Sequence, residues 1–102
     1  MTHMYGRLST YQGGPVPADK DIAASGQQAL DQVRGFPGFK GVYYLLDREK
    51  GHALTLTLWE DEEAMRNSEE LADKVRKESA ERDEMEVVSV ERYEIPMSHL
   101  ET

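Results

Sequence analysis

Two repeat periods alternate along the chain. Met4 to Gln12, rich in tyrosine, threonine and serine, reads as a first strand. Gly13-Gly14-Pro15-Val16-Pro17 breaks it, because two glycines and two prolines cannot continue a ladder. Asp19 is placed to cap a helix whose inner face carries Ile22, Gly26, Ala29, Leu30 and Val33, and Gly35 to end it. Lys40 to Asp47 is a second strand. Its centre, Val42-Tyr43-Tyr44-Leu45-Leu46, is apolar or aromatic on both faces, so both faces need cover. Asp47 to Gly51 is a polar hairpin loop. Ala53 to Trp59 returns with Leu54, Leu56 and Leu58 on one face and Thr55, Thr57 and Trp59 on the other.

The strand passes directly into a helix start at Asp61. Ala64, Ser68, Leu71, Ala72, Val75 and Ser79 make a narrow inner stripe along one helix ending at Asp83-Glu84. On its outer side Glu62–Arg66, Glu70–Lys74 and Glu78–Arg82 have ion-pair spacing, each pair worth only ~0.2–0.5 kcal/mol. Glu86 to Ile95 is the last strand, stopped by Pro96. The order strand, helix, strand, strand, helix, strand predicts an α+β fold, a ferredoxin-like βαββαβ sandwich with a four-stranded antiparallel sheet. One domain over 4–96 is expected, followed by a loose tail over 97–102. Both helices then cover one sheet face. No element remains for the other face, so a homodimer packed sheet against sheet is expected, closing a dimeric α/β barrel.

Composition narrows the function. The 102 residues offer one small domain, marginal alone and helped by self-association. The net charge of −8 comes from the C-terminal half. An acidic domain repels phosphate backbones, which speaks against nucleic acid as a partner. No apolar run is long enough to span a membrane, and Met1-Thr-His-Met4 lacks the order of a signal peptide. The absence of cysteine excludes thiolate chemistry and fits a cytoplasmic location. His3, His52 and His99 show no ligand spacing, so no metal site is expected.

Gly35-Phe-Pro-Gly-Phe-Lys-Gly41, the hairpin loop, and Leu56-Thr-Leu-Trp-Glu-Asp-Glu-Glu-Ala64 together resemble the antibiotic biosynthesis monooxygenase (ABM) family of dimeric α/β barrels. Val87 to Glu94 fits that family's last strand. Some members of the family oxygenate polycyclic phenols to quinones with no metal or flavin, so the resemblance implies a cofactor-independent monooxygenase acting on a small aromatic or polyketide-type molecule. It also implies a tryptophan at the strand end, and Trp59 stands there. The family's other positions differ. Thr55 replaces an asparagine, Met65 a tyrosine, and the late-helix arginine falls near Ser79. For haem-degrading members the matching places hold Gly6, Ser68 and Glu78, so the iron-ligating histidine is lost and haem is not expected. A binding or accessory homodimer of the same fold, without catalysis, is the alternative reading. A purely structural dimer would follow only if no cavity existed.

Trp59 serves as a core cap and, equally, as a cavity wall, since aromatic walls suit small-molecule sites. Thr57, Thr55, Tyr44 and Arg7 are the other pocket candidates. A one-residue slip in the hairpin would replace Tyr44 by Tyr43. Proton removal from a phenol, or support of its anion, falls to Arg7, Tyr43 or Tyr44. No serine or threonine has a nearby base, and Asn67 reads as surface.

Overall fold

The computed structural model describes residues 3–101. Met1 and Thr2 of the chain start read above, and the tail's last residue, Thr102, lie outside the described residues. Strand β1 (Met4–Gln12) leads to helix α1 (Ile22–Val33), then to the hairpin β2 (Phe39–Asp47) and β3 (His52–Trp59). Helices α2 (Glu62–Asn67) and α3 (Glu69–Arg82) follow, then β4 (Glu86–Ile95). The strands form one antiparallel sheet in the order β2-β3-β1-β4, the ferredoxin-like arrangement. No helix among the described residues is long and apolar enough to cross a membrane.

Three local expectations are corrected. Asp21, not Asp19, caps α1 by accepting from the Ala24 amide at 3.1 Å. A turn with Lys20 N donating to Pro17 O at 3.1 Å occupies the two residues between. The helix ends in right-handed geometry at Arg34, and the left-handed glycine is Gly38 (φ 85°) rather than Gly35. Of the three outer ion pairs, only Arg66–Glu62 (3.4 Å) forms among the described residues. Lys77 pairs instead with Asp73 at 3.3 Å, and Arg82 turns inward, donating from Nε to Ser25 Oγ at 3.0 Å.

The fourth correction concerns the second helix, which is two. Ser68 joins α2 to α3 and is only 1% exposed. The Met65 carbonyl accepts from the Ser68 hydroxyl at 2.7 Å and from Arg7 Nη2 at 2.7 Å. Side chains thus take over part of the hydrogen bonding at the end of α2. A strand residue 58 positions earlier holds the joint, so nothing local in the helix sequence announces it.

Two small packed clusters close the ends of the helix–sheet layer. At one end Tyr11, Ala53 and Ala80 pack with Tyr44, Leu46 and Met85. At the other, Phe36 and Phe39 meet Trp59 edge to face, at centroid distances of 6.0 and 5.5 Å. The turn that carries the two phenylalanines docks on the start of α2. The Glu60 amide donates to Gly38 O at 2.8 Å, and a Cβ on Gly38 would stand 2.4 Å from Ala64 Cβ. Glycine is required there twice, by its backbone angle and by this contact. The proline-glycine-phenylalanine turn and the Trp-Glu-Asp-Glu-Glu-Ala stretch are therefore two halves of one packing unit.

Candidate functional site

Between the two clusters lies a cavity of 440 Å³. All five residues singled out from sequence (Arg7, Tyr44, Thr55, Thr57 and Trp59) line it. Strand alternation explains their company. Arg7 pairs with Thr57 and Tyr44 with Thr55, and paired residues share a sheet face. The hairpin register thus places Tyr44 inward and leaves Tyr43, opposite Leu56, on the other face, 43% exposed. Helix α1 roofs the cavity with Ile22, Gly26, Leu30 and Val33, and α3 with Ala72, Val75 and Ser79. Exposed Ala23, Gln27 and Val42 among the lining residues set its opening between α1 and the edge strand β2.

Arg7 is the best-held polar group of the wall, 2% exposed. Its Nη2 donates to Met65 O (2.7 Å), Ser68 Oγ (3.0 Å) and Glu69 Oε1 (2.8 Å). Its Nε is buried with no partner among the described residues. The guanidinium carbon lies 5.6 Å from the centre of the Trp59 ring, within cation–π range. Burial draws the Arg7 pKa below its usual value, and the Glu69 carboxylate opposes that drift. Glu69 is shared. Arg92 of β4 holds it with two bonds, at 2.8 and 2.6 Å. These bonds first, with Arg7 after them and against the opposing pull of burial, hold its carboxyl down at about 2. Trp59 is 1% exposed and donates from Nε1 to Thr57 Oγ1 at 3.0 Å, so the ring is fixed at both its face and its edge.

Six further polar residues in the wall escaped the sequence reading, Ser25 and Gln27 of α1 among them. Ser9 and Tyr11 continue the inward face of β1. Arg76 and Asp83, each 8% exposed, come from α3. Ala72, Arg76, Ser79 and Asp83 follow each other at steps of four, three and four, one helix face, and that spacing was the available signal. Arg76 stands one turn before Ser79, so a late-helix guanidinium reaches the cavity wall although the expected place is a serine. Burial first, then the charge of Asp83, pushes the Tyr44 phenol up to about 12. The shift favours the protonated phenol, which can offer a hydrogen bond into the cavity. Tyr11 is likewise raised by burial. The histidines stay apart: His52 Nδ1 lies 3.1 Å from Gln12 Oε1, and His3 and His99 face Glu94 and Glu101.

No family model matches the chain. Among curated proteins, the uncharacterised Mycobacterium tuberculosis proteins Rv2558 and Rv2557 are 31% and 32% identical to it over 77 and 78 residues. These alignments cover 76% of this chain but 33% and 35% of theirs, so the chain spans about a third of the length of the curated relatives it matches. Solved structures align nearly end to end. SnoaB, a cofactor-independent oxygenase from Streptomyces nogalater, superposes with a TM-score of 0.63 over 97% of both chains at 14% identity. A monooxygenase from the ActVA-Orf6 gene of Streptomyces coelicolor, in complex with nanaomycin D, gives 0.59 over 99% of this chain and 94% of that one, at 13% identity. The chain has the fold of the antibiotic biosynthesis monooxygenase-type proteins, the family that its turn and strand-end motifs resemble.

Proposed function

We propose that the protein binds a planar aromatic molecule of phenolic or polyketide type between sheet and helices and oxygenates it without a metal or organic cofactor. The 440 Å³ cavity, walled by Trp59 and Arg7, carries this reading. Its volume exceeds the ~300 Å³ at which small-molecule sites begin. A purely structural dimer therefore loses its support. Two guanidinium groups line the wall, Arg7 paired with Glu69 and Arg76 with Asp73, and they are the donors a phenolate would meet in a low-dielectric setting. The chemistry in view is the oxidation of a ring methylene by dioxygen: two C–H bonds break, a C=O forms, and water takes the second oxygen. The phenolate supplies the electrons, so the protein's part is to hold the anion and exclude water.

Oxygen uptake with an anthrone-type phenol tests this. Turnover above the uncatalysed rate is expected, with Trp59→Phe lowering it by about tenfold or more, a larger loss than the fall in melting temperature accounts for. Absence of any uptake, with the phenol nevertheless bound, leaves the second reading: a non-catalytic binding or accessory protein. Thr55 and Met65, where the family's asparagine and tyrosine would stand, favour that alternative.

The functional unit in this reading is a homodimer of one 4–96 domain per chain, with 97–102 as a tail, joined through the uncovered sheet face. The support is the composition of that face, where Leu8, Leu54, Leu56, Leu58, Tyr43 and Leu45 alternate with the inward residues. No described element lies over it.

A further inference from the structure

Asp83 is the single carboxylate among the cavity's lining residues. It closes α3 at the end of the cavity opposite Arg7. Along β1 the neighbours of the two poles, Arg7 and Tyr11, are four residues apart, about 13 Å at strand rise. Arg76 and Asp83 are two helical turns apart, about 10 Å. A flat molecule of roughly that length would therefore meet the Arg7 guanidinium at one end and a carboxylate at the other, with Arg76 between them.

The Asp83 carboxylate is only half used. Oδ2 accepts from Ser25 Oγ at 2.9 Å. Oδ1 has no hydrogen-bond partner among the described residues, although the residue is 8% exposed. Arg82 donates to Ser25 Oγ, and no ion pair to the Asp83 carboxylate forms among the described residues. A buried carboxylate in this state has acceptor capacity to spare, and a neutral donor on a ligand is a fitting complement. Tyr11 and Tyr44 line the same end of the cavity, packed together, and offer an apolar floor near the acceptor.

We infer that Asp83 is a specificity-determining residue: its free oxygen accepts a hydrogen bond from a ring hydroxyl on a planar ligand whose far end lies toward Arg7 and Trp59. The ligand class is a hydroxylated polycyclic aromatic with its donor at the end remote from the anionic or oxidisable part. This rests on the ligand-binding reading above but not on catalysis. It gives the cavity a direction, because a ligand turned end for end would lose the bond and set its own anion against Asp83.

Hydroxyanthraquinone and its methyl ether, two planar probes that differ by one donor, test the assignment through quenching of Trp59, the chain's one tryptophan. The wild-type chain should bind the hydroxyl form at least about tenfold more tightly than the ether. Asp83→Asn, which exchanges a charged acceptor for a neutral one, should bring the two probes toward parity. Ser25→Ala removes the competing internal donor and should keep or widen the preference, which supplies the answer if Asp83→Asn does not fold. Equal binding of both probes by the wild type overturns the assignment, as does an unchanged preference in Asp83→Asn or a lost one in Ser25→Ala. Binding of neither probe by the wild type overturns the ligand-binding reading itself and this assignment with it.

Discussion

The two faces of the sheet divide polar from apolar side chains in an unexpected way. The face under the helices, ordinarily the driest part of such a sandwich, is apolar at its two ends, at Trp59 and at Tyr11 and Ala53, but carries Arg7, Ser9, Thr55 and Thr57 between them. The face left uncovered carries Leu8, Leu54, Leu56, Leu58 and Leu45, with Leu45 50% exposed. Hydrophobic burial at ~25 cal/mol per Å² would favour the opposite arrangement in an isolated chain. A polar inner face makes sense as the wall of a chamber, where each polar group has a partner or awaits one. An apolar outer face makes sense as a surface that another copy covers. The sheet is thus read as a partition between a site and an interface.

That contrast breaks most visibly at Leu56, midway along the uncovered face and opposite Leu8 and Tyr43. Leu56→Asp would place two carboxylates in a symmetric dimer interface, each costing several kcal/mol. Sedimentation at micromolar concentration should then show the dimer of the wild type replaced by monomer, a loss of about a thousandfold in affinity. A wild type that sediments as a monomer would end the interface half of the comparison. On the inner face, Arg7→Leu should cost about 3 kcal/mol of stability in a urea melt, because it strips donors from a buried helix joint and from Glu69. If Arg7 contributed only bulk, leucine would be tolerated, and the inner face would be a core after all.

The smallest effect is at Glu69. Held chiefly by Arg92, its carboxyl sits at about 2 instead of the ordinary 4.5, so the folded chain favours the ionised form. The stabilisation is present above pH 4.5 and is lost as pH falls through about 2. Glu69→Gln removes it at neutral pH and should flatten the decline of melting temperature over that acid window. An unchanged acid limb would show that Arg7 is held without its carboxylate partner.

Much of the fold was legible because its signals are local. Strand-forming residues ended by the Gly13-Gly14-Pro15 break and by Pro96 set β1 and β4 at the boundaries observed, and the Asp61 cap marked the start of α2. The site was legible in part. Trp59, Thr57 and Thr55 follow from strand period alone, whereas choosing Tyr44 over Tyr43 needed the hairpin register. The break at Ser68 was not legible, since its cause, Arg7, lies 61 residues away. Arg76 and Asp83 were hidden differently. They fall in a run so rich in charge that a solvated face is the natural reading, and only their spacing with Ala72 and Ser79 separates them from it.

The contact between Gly38 and Ala64 carries a consequence for anyone who would re-engineer the chamber. The two positions are 26 residues apart in the chain and one atom's width apart in space. Neither can be varied alone: a larger residue at 64 evicts the turn, and any side chain at 38 evicts the helix. Because that turn holds Phe36 and Phe39 against Trp59, an error at either site would be read in an assay as a damaged binding wall. A mutational library aimed at the tryptophan end must treat these two positions as a single letter.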